Sequence, residues 1–461
     1  MTNATATAAR RTSLHGFWSS RMTFILAVSG SAIGLGDIWK FPYITGQNGG
    51  GAFVIVYLLC VFLIGLPIMI SEILIGRRGR RNPVTTMGLL GEEEGGVRHW
   101  RLVGVMGIFT GFIILSFYSV IAGWTLAYIL HAARGEFTGG DATRIGEVFA
   151  TITGTWWRSA AWHTLFMIMT VFVVARGVQR GLGQAVRILM PTLFALLIVL
   201  LGYSMASGQF AAGVDYMFRA DFSALSGNSV LIALGHSFFT LSVGICAVMA
   251  YAAYLPQSTS IMSTAGTVVV ADTIVSLTVG LIIFPIVFAN GLAPDAGPGL
   301  IFRTLPLAFG NMPAGAFFGA LFFIVLAFAA WTSAISLIEP AVAWAVERRG
   351  LTRVKAATGI GVVVWALGFA TVLSFNELDH VQFLRGSIFD NIDYLASNIL
   401  LPLGGLLITI FAGWVICRNA SADELDVGTS LAYRSWHFLT RFIAPVAVIL
   451  IFLHAIGVFT L

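Results

Sequence analysis

The sequence predicts an all-α polytopic membrane protein of eleven transmembrane helices, built as a five-plus-five inverted repeat with its first and sixth helices broken. Three observations predict it. The 461 residues are 57% hydrophobic and only 10% charged, with mean hydropathy +0.89, a composition far too apolar for a soluble domain. Apolar runs able to cross a hydrocarbon core of about 30 Å recur eleven times. Two of these runs carry glycines and polar groups in their middles, which a membrane tolerates only where unwound backbone is buried in protein or lines a cavity.

In chain order the runs lie near 22–45, 52–76, 102–132, 161–177, 185–206, 228–255, 264–289, 314–346, 356–375, 390–417 and 437–460. With the N-terminus inside, nineteen of the 26 Lys and Arg residues fall on inner loops and tails and seven fall outside. That bias sets the orientation, and an odd number of spans puts the C-terminus outside. Residues 1–21 read as a cytoplasmic tail, since Arg10 and Arg11 lead into a full-length span without an A-x-A cleavage signal. The first repeat is expected over 22–206, the second over 228–417, and the eleventh helix over 437–461. The expected location is a plasma membrane or cell inner membrane.

The net charge of +5 suits a membrane surface better than nucleic acid, because no basic run alternates with aromatics. Cys60, Cys246 and Cys417 fall in or beside apolar runs and imply no disulfide framework. Neither HExxH nor GxSxG nor a Cys/His metal spacing occurs, so an enzyme is not expected.

The first interruption is SGSAIGLGDIWKFPY at 29–43, where Gly30, Gly34 and Gly36 each cost about 1 kcal/mol of helix propensity and Asp37 brings a carboxylate into the bilayer. The second is GHSFFTLSVGIC at 235–246, diluted by Gly235, Ser237, Thr240, Ser242 and Gly244. Glycines also let transmembrane helices pack closely, and either break alone has that simpler explanation. Two breaks in corresponding places of two five-helix halves point instead to a secondary transporter with its site at mid-membrane.

These residues carry a resemblance. The run WSSRMTFILAVSGSAIGLGDIWKFPYITGQNGGGAF at 18–53 is similar to the first span and following loop of the neurotransmitter:sodium symporter family, particularly its bacterial amino-acid transporters. FFTLSVG at 238–244, FAAWTSAISLIEP at 328–340 and FDNIDYLASNILLPLGG at 389–405 resemble its sixth, eighth and tenth spans. The resemblance implies sodium as the coupled ion. One sodium site would use the carbonyls of Gly30, Ile33 and Ala329 with the hydroxyls of Thr332 and Ser333. The other would use the Ala32 carbonyl, Thr240, Asp37 and Asp272, together with the substrate carboxylate. The family's usual asparagines are replaced here by Asp37 and Asp272, two carboxylates that repel across one monovalent ion unless they share a proton.

The resemblance also implies an α-amino-acid site. Amides of Leu35 and Gly36 at a half-helix start, with the Tyr118 hydroxyl, would receive the carboxylate. Carbonyls of Ala32, Phe239 and Thr240, with Ser242, would receive the ammonium. Ile114, Tyr118, Phe239, Ile245, Ser333 and Leu337 would wall a pocket for a neutral, hydrophobic side chain. Gly34 stands where monoamine carriers place an acid. Positions resembling chloride ligands are Tyr57, His236, Thr240, Asp272 and Ser276, and the charge of Asp272 leads us to expect transport without chloride.

Gates follow by the same carry-over. Lys40 and Asp393 match an outer ion pair, with Lys40 in place of the usual arginine, and Phe239 would close over the substrate. Inside, Trp18 matches a plug, and Glu347 an acid whose partner position is His15, with Arg10 or Arg11 as substitutes. Glu72 resembles a glutamate that hydrogen-bonds unwound backbone. Glu339 is expected to pair within the bundle and His236 to pack between helices. The expected function is sodium-coupled import of a neutral L-amino acid by alternating access, with the lipid bilayer as the other partner. A proton-coupled carrier on the same architecture is the alternative.

Overall fold

The computed structural model describes residues 11–14, 16–294, 299–428, 430–455 and 458. Among these no β-strand occurs, only an isolated bridge between Phe383 and Gly386. The helices in chain order are α1 Arg21–Ala32, α2 Gly36–Gln47, α3 Gly51–Gly79, α4 Pro83–Gly95, α5 Arg98–Ala133, α6 Ala142–Thr153, α7 Trp156–Ala175, α8 Val178–Met205 and α9 Phe210–Phe218. They continue with α10 Gly227–Thr240, α11 Ala247–Ala252, α12 Ile261–Ala289, α13 Leu300–Gly310, α14 Gly315–Arg349, α15 Arg353–Ser374, α16 Ile388–Val415, α17 Arg418–Leu425 and α18 at 431–455. Among the described residues each apolar run read from the sequence is occupied by helix, apart from the two breaks at 33–35 and 241–246.

Among the described residues eight helices are long and apolar enough to cross a membrane unaided, and α1 with α2 makes a ninth span bent by 48°. The sixth run consists of α10 and α11, each too short alone, and α18 takes the eleventh, consistent with eleven spans. The span reading left five shorter helices unassigned: α4, α6, α9, α13 and α17. Local caps explain several starts. Ser20 accepts the Thr23 amide at α1, Asn82 the Thr85 amide at α4, and Ser226 the Ser229 amide at α10, each satisfying a donor that the first helical turn leaves free.

The two longest helices, α5 of 33 residues in its regular part and α14 of 35, pack along each other through the middle of the bundle. At 1.5 Å per residue each is about 50 Å long, so both overrun the hydrocarbon core. One break separates α1 from α2 and the other separates α10 from α11, and the candidate site forms where the two breaks meet.

Candidate functional site

The first break begins where Ile33 leaves helical geometry, with ψ at 104° and its amide still bonded to the Ser29 carbonyl at 2.7 Å. The chain resumes at α2 because Asp37 takes the Gly34 amide on Oδ2 at 2.9 Å, capping the second half-helix from within. Glycine is required at 34: an added Cβ would sit 2.6 Å from Ser333 Oγ and 2.8 Å from Tyr118 Oη. The Leu35 amide donates to Tyr118 Oη at 3.2 Å. Backbone donors and a hydroxyl thus gather at the positive start of a helix, the arrangement that suits a carboxylate.

The second break runs from Leu241 to Cys246, between α10 and α11, with Ser242, Gly244 and Cys246 all at positive φ. At Gly244, φ is +91° and an added Cβ would lie 2.6 Å from the Leu401 carbonyl oxygen, so both conformation and space call for glycine. Glu72 of α3 satisfies the freed amides, accepting from Gly244 at 2.7 Å and from Met249 at 3.2 Å. The Ser242 hydroxyl ties the breaks together by donating to the Ser31 carbonyl at 2.7 Å.

Two oxygen clusters flank this junction. Ser333 Oγ lies 3.2 Å from each of the carbonyl oxygens of Gly30, Ser31 and Ile33. Thr332 Oγ1 lies 3.0 Å from the Ala329 carbonyl. Hydroxyls and carbonyls are the hard ligands an alkali cation takes when stripped of water. In the other cluster the Thr240 hydroxyl donates to Asp37 Oδ1 and lies 3.2 Å from Asp272 Oδ2. Ser276 donates to Asp37 Oδ1 at 2.7 Å, and the Tyr57 hydroxyl is 3.4 Å from Ser276. Asp272 Oδ1 is buried without a hydrogen-bond partner, as are both ring nitrogens of His236, which stacks on Phe41 and tilts against Tyr57.

Between the clusters is a small cavity of about 20 Å³ lined by Ala32, Gly34, Leu35, Gly36, Ile114, Tyr118, Phe239, Ser242, Ile245, Ser333, Leu337 and Leu401. Every residue expected from sequence to contact substrate is there except Thr240, whose hydroxyl is turned to the two aspartates. Gly34 and Leu401 are additions. Leu401 went unnoticed although it stands within the quoted tenth-span motif, because nothing in sequence says which face of α16 meets Gly244.

The expected gates lie at the two ends. Lys40 Nζ sits 4.8 Å from the Phe239 ring centroid, and Asp393 accepts the Ser397 hydroxyl at 2.9 Å. No ion pair within 4 Å joins Lys40 to Asp393 among the described residues. Outward along α5, Ile121 and Trp124 open onto a second cavity of about 330 Å³, rimmed by Trp39, Phe302, Phe389 and Arg303.

At the opposite end Trp18 is 3% exposed, donating from Nε1 to the Tyr251 carbonyl at 2.9 Å and from its amide to the Tyr254 carbonyl at 3.0 Å. Tyr254 in turn donates its hydroxyl to Glu339 at 3.0 Å, and Glu339 is salt-bridged to Arg353. Glu347 accepts from the Asn82 amide at 3.0 Å and side chain at 2.7 Å, holding the start of α4. Its expected partners Arg10 and His15 lie outside the described residues, and Arg11 pairs with Glu93.

The sequence profile of the Sodium:neurotransmitter symporter family matches residues 15–140 and 136–460. The chain is 38% identical over 444 residues to the uncharacterized sodium-dependent transporter YhdH of Bacillus subtilis, covering 96% of this chain and 98% of that protein. An uncharacterized sodium-dependent transporter of Haemophilus influenzae is 32% identical, over 95% and 97% of the two chains. Among solved structures, MhsT in complex with L-phenylalanine superposes with a TM-score of 0.89 at 40% identity, covering 95% of this chain and 99% of that one. The chain belongs to the sodium:neurotransmitter symporter family, and it is a sodium-coupled, multi-span membrane transporter rather than an enzyme.

Proposed function

We propose that this protein imports a neutral, hydrophobic L-amino acid together with sodium by alternating access. The observation that carries this reading is the cavity between the two breaks. One side offers the Leu35 amide and the Tyr118 hydroxyl, the other the backbone around Phe239 and Ser242, and its remaining wall is Ile114, Ile245, Leu337 and Leu401. A carboxylate and an ammonium are thereby recognised by backbone dipoles, and the side chain meets only apolar groups. The L-phenylalanine bound by the structural neighbour supports the same class of cargo.

In this reading sodium ions are co-substrates. One is held by Gly30, Ile33, Ala329, Thr332 and Ser333, the other by Ala32, Asp37, Thr240, Asp272 and the cargo carboxylate. Halves 22–206 and 228–417 move about this site, with 437–461 outside the repeat, the N-terminus cytoplasmic and the C-terminus outside. Each charge crossing the field contributes about 2.3 kcal/mol per 100 mV, so one or two sodium ions drive substantial accumulation of a zwitterion. The test is binding of a panel of radiolabelled amino acids to purified protein in sodium and in potassium. Saturable, sodium-dependent binding of Leu, Ile or Phe is expected; sodium-independent binding, or binding of charged amino acids alone, overturns the reading.

The second reading, a proton-coupled carrier, is favoured by one observation: Asp37 and Asp272 meet at one hydroxyl, and Asp272 Oδ1 has no partner. Uptake driven by a pH gradient in sodium-free vesicles would establish it.

A further inference from the structure

We propose that the groove between α7 and α15 is a binding site for one anionic phospholipid, an acyl chain lying in the groove and the headgroup phosphate held at Arg176. The groove has a volume of about 540 Å³ and is almost wholly apolar, within the size range of sites that bury a small-molecule ligand. It is closed at one end where Trp365 Nε1 donates to Thr164 Oγ1 at 2.9 Å. Its other end lies at Ala175 and Val354. From Val354 to Trp365 the rise of α15 is roughly 16 Å, the depth of one leaflet of a core about 30 Å thick. The groove therefore ends near mid-membrane and opens at one surface, the shape a single leaflet's chain requires.

The open end is basic. The Arg176 guanidinium stands 4.0 Å from the centroid of Phe172, which forms one wall. Arg180 and Lys355 are exposed nearby on the two chain segments that frame the mouth. No Asp or Glu occurs from 148 to 214 or from 348 to 376, and no carboxylate lies within 4 Å of Arg176, Arg180 or Lys355 among the described residues. A carboxylate-free cluster of cations at a membrane surface attracts anionic headgroups. The mouth is at the end of the bundle where α14 finishes in Arg348 and Arg349, the end proposed to face the cytoplasm. The site is remote from the substrate cavity and takes no part in its chemistry.

The test uses the whole protein in nanodiscs of phosphatidylcholine with or without phosphatidylglycerol, and counts retained lipid by native mass spectrometry. Wild type is expected to retain one phosphatidylglycerol through mild activation, and R176Q/K355Q to retain it roughly 30-fold less strongly. R434Q, which removes an exposed cation elsewhere, is expected to behave as wild type. T358W, which fills the groove, is expected to abolish retention with the charges intact. Equal losses from R434Q and R176Q/K355Q would mean diffuse surface charge and overturn the site. Undiminished retention by T358W would overturn the acyl-chain placement, as would equal binding of glycerophosphoglycerol, which has a headgroup and no chains. Should a variant not fold, wild type is photolabelled with diazirine-tailed phosphatidylglycerol: adducts on α7 and α15 support the site, and adducts spread evenly over all helices overturn it.

Discussion

The ammonium of Lys40 lies over the ring of Phe239, 4.8 Å from its centroid, and not on the carboxylate of Asp393. Phe239 lines the cavity between the two breaks and touches Gly36, where an added Cβ would come within 2.9 Å of the ring. In the proposed reading this cation–π contact, worth about 1 kcal/mol in a partly exposed place, is the outer closure. Lys40→Met is expected to speed release of bound amino acid toward the outside by about fivefold. Asp393→Asn leaves the ring contact in place and should change that rate by less than about twofold on the same reasoning. Stopped-flow displacement of bound substrate in sodium measures both. Equal effects of the two substitutions would restore the ion pair as the latch.

In the proposed reading Gly34 is where sodium and substrate recognition meet. Its missing side chain leaves Ser333 Oγ and Tyr118 Oη adjacent, 2.6 and 2.8 Å from where a Cβ would stand. Gly34→Ala must push one of them away, and overpacking of this kind costs about 1–3 kcal/mol. Because Ser333 reaches the Gly30 and Ile33 carbonyls and Tyr118 reaches the Leu35 amide, the loss falls on binding. A tenfold or greater rise in the sodium concentration needed for half-maximal substrate binding is expected, about 1.4 kcal/mol or more. An unchanged sodium titration would take Ser333 out of the ion site.

Glu72 holds the second break by two hydrogen bonds, to Gly244 and Met249. Glu72→Ala leaves both amides buried and unpartnered, at about 1–3 kcal/mol each. Amide hydrogen exchange across 241–249 should quicken by more than tenfold, with exchange in α5 unchanged, and uptake should fall in parallel. Glu72→Gln keeps one acceptor and should lie between. Uniformly faster exchange through the whole bundle would mean that Glu72 supports global stability instead.

How much of this was legible in the sequence depends on whether a local run or a distant pair was being read. Gly34 and Gly244 stand at the breaks, and it was the two glycine-rich runs in corresponding places, not any one glycine, that pointed to them, since Gly30 lies inside α1 and Gly36 opens α2. Gly235 was read with them, yet it lies inside α10 with open space beside it, and the second break falls six residues later. The residues lining the cavity were named through the family resemblance, residue by residue, and Ile114 and Tyr118, one turn apart on α5, do share the face that lines it. Pairings between distant elements were not legible. Lys40 with Phe239, Glu347 with Asn82 and Leu401 with Gly244 each depend on how two helices are rotated about their own axes. That rotation is set by the packing of the entire bundle, which no local pattern records.

Chloride is expected to be dispensable. Asp272 is fully buried, 3.2 Å from the Thr240 hydroxyl, and its carboxylate, when ionised, places a negative charge where an anion would otherwise be needed. A second anion at that place would meet Coulomb repulsion of several kcal/mol at an effective dielectric near 20, about 4 kcal/mol at 4 Å. Initial uptake rates in sodium chloride and sodium gluconate should agree within about twofold, less than 0.5 kcal/mol. A collapse of uptake in gluconate would show that Asp272 does not provide that charge.

We propose that Trp18 is the inner plug, which then depends on a chain of three contacts. Trp18 is fastened to the carbonyls of Tyr251 and Tyr254, the Tyr254 hydroxyl to Glu339, and Glu339 to Arg353. Glu339 is completely buried and Arg353 nearly so. Removing only the cation leaves an uncompensated carboxylate, which in buried pairs costs about 3–5 kcal/mol, whereas replacing both partners by neutral groups is often close to neutral. Arg353→Leu alone should therefore loosen Tyr254 and free Trp18, exposing the indole to aqueous quencher and making the tail near Ser20 accessible to protease. Uptake should fall by more than tenfold while outward substrate binding persists. The double variant Arg353→Leu/Glu339→Gln should recover most of the thermal stability, because the glutamine still accepts from Tyr254 and leaves no buried charge. A double-mutant cycle on melting temperature and tryptophan quenching separates the outcomes. If the double variant is as unstable as the single one, the ion pair itself holds the plug; if neither variant exposes Trp18, the plug is held by its two backbone hydrogen bonds alone.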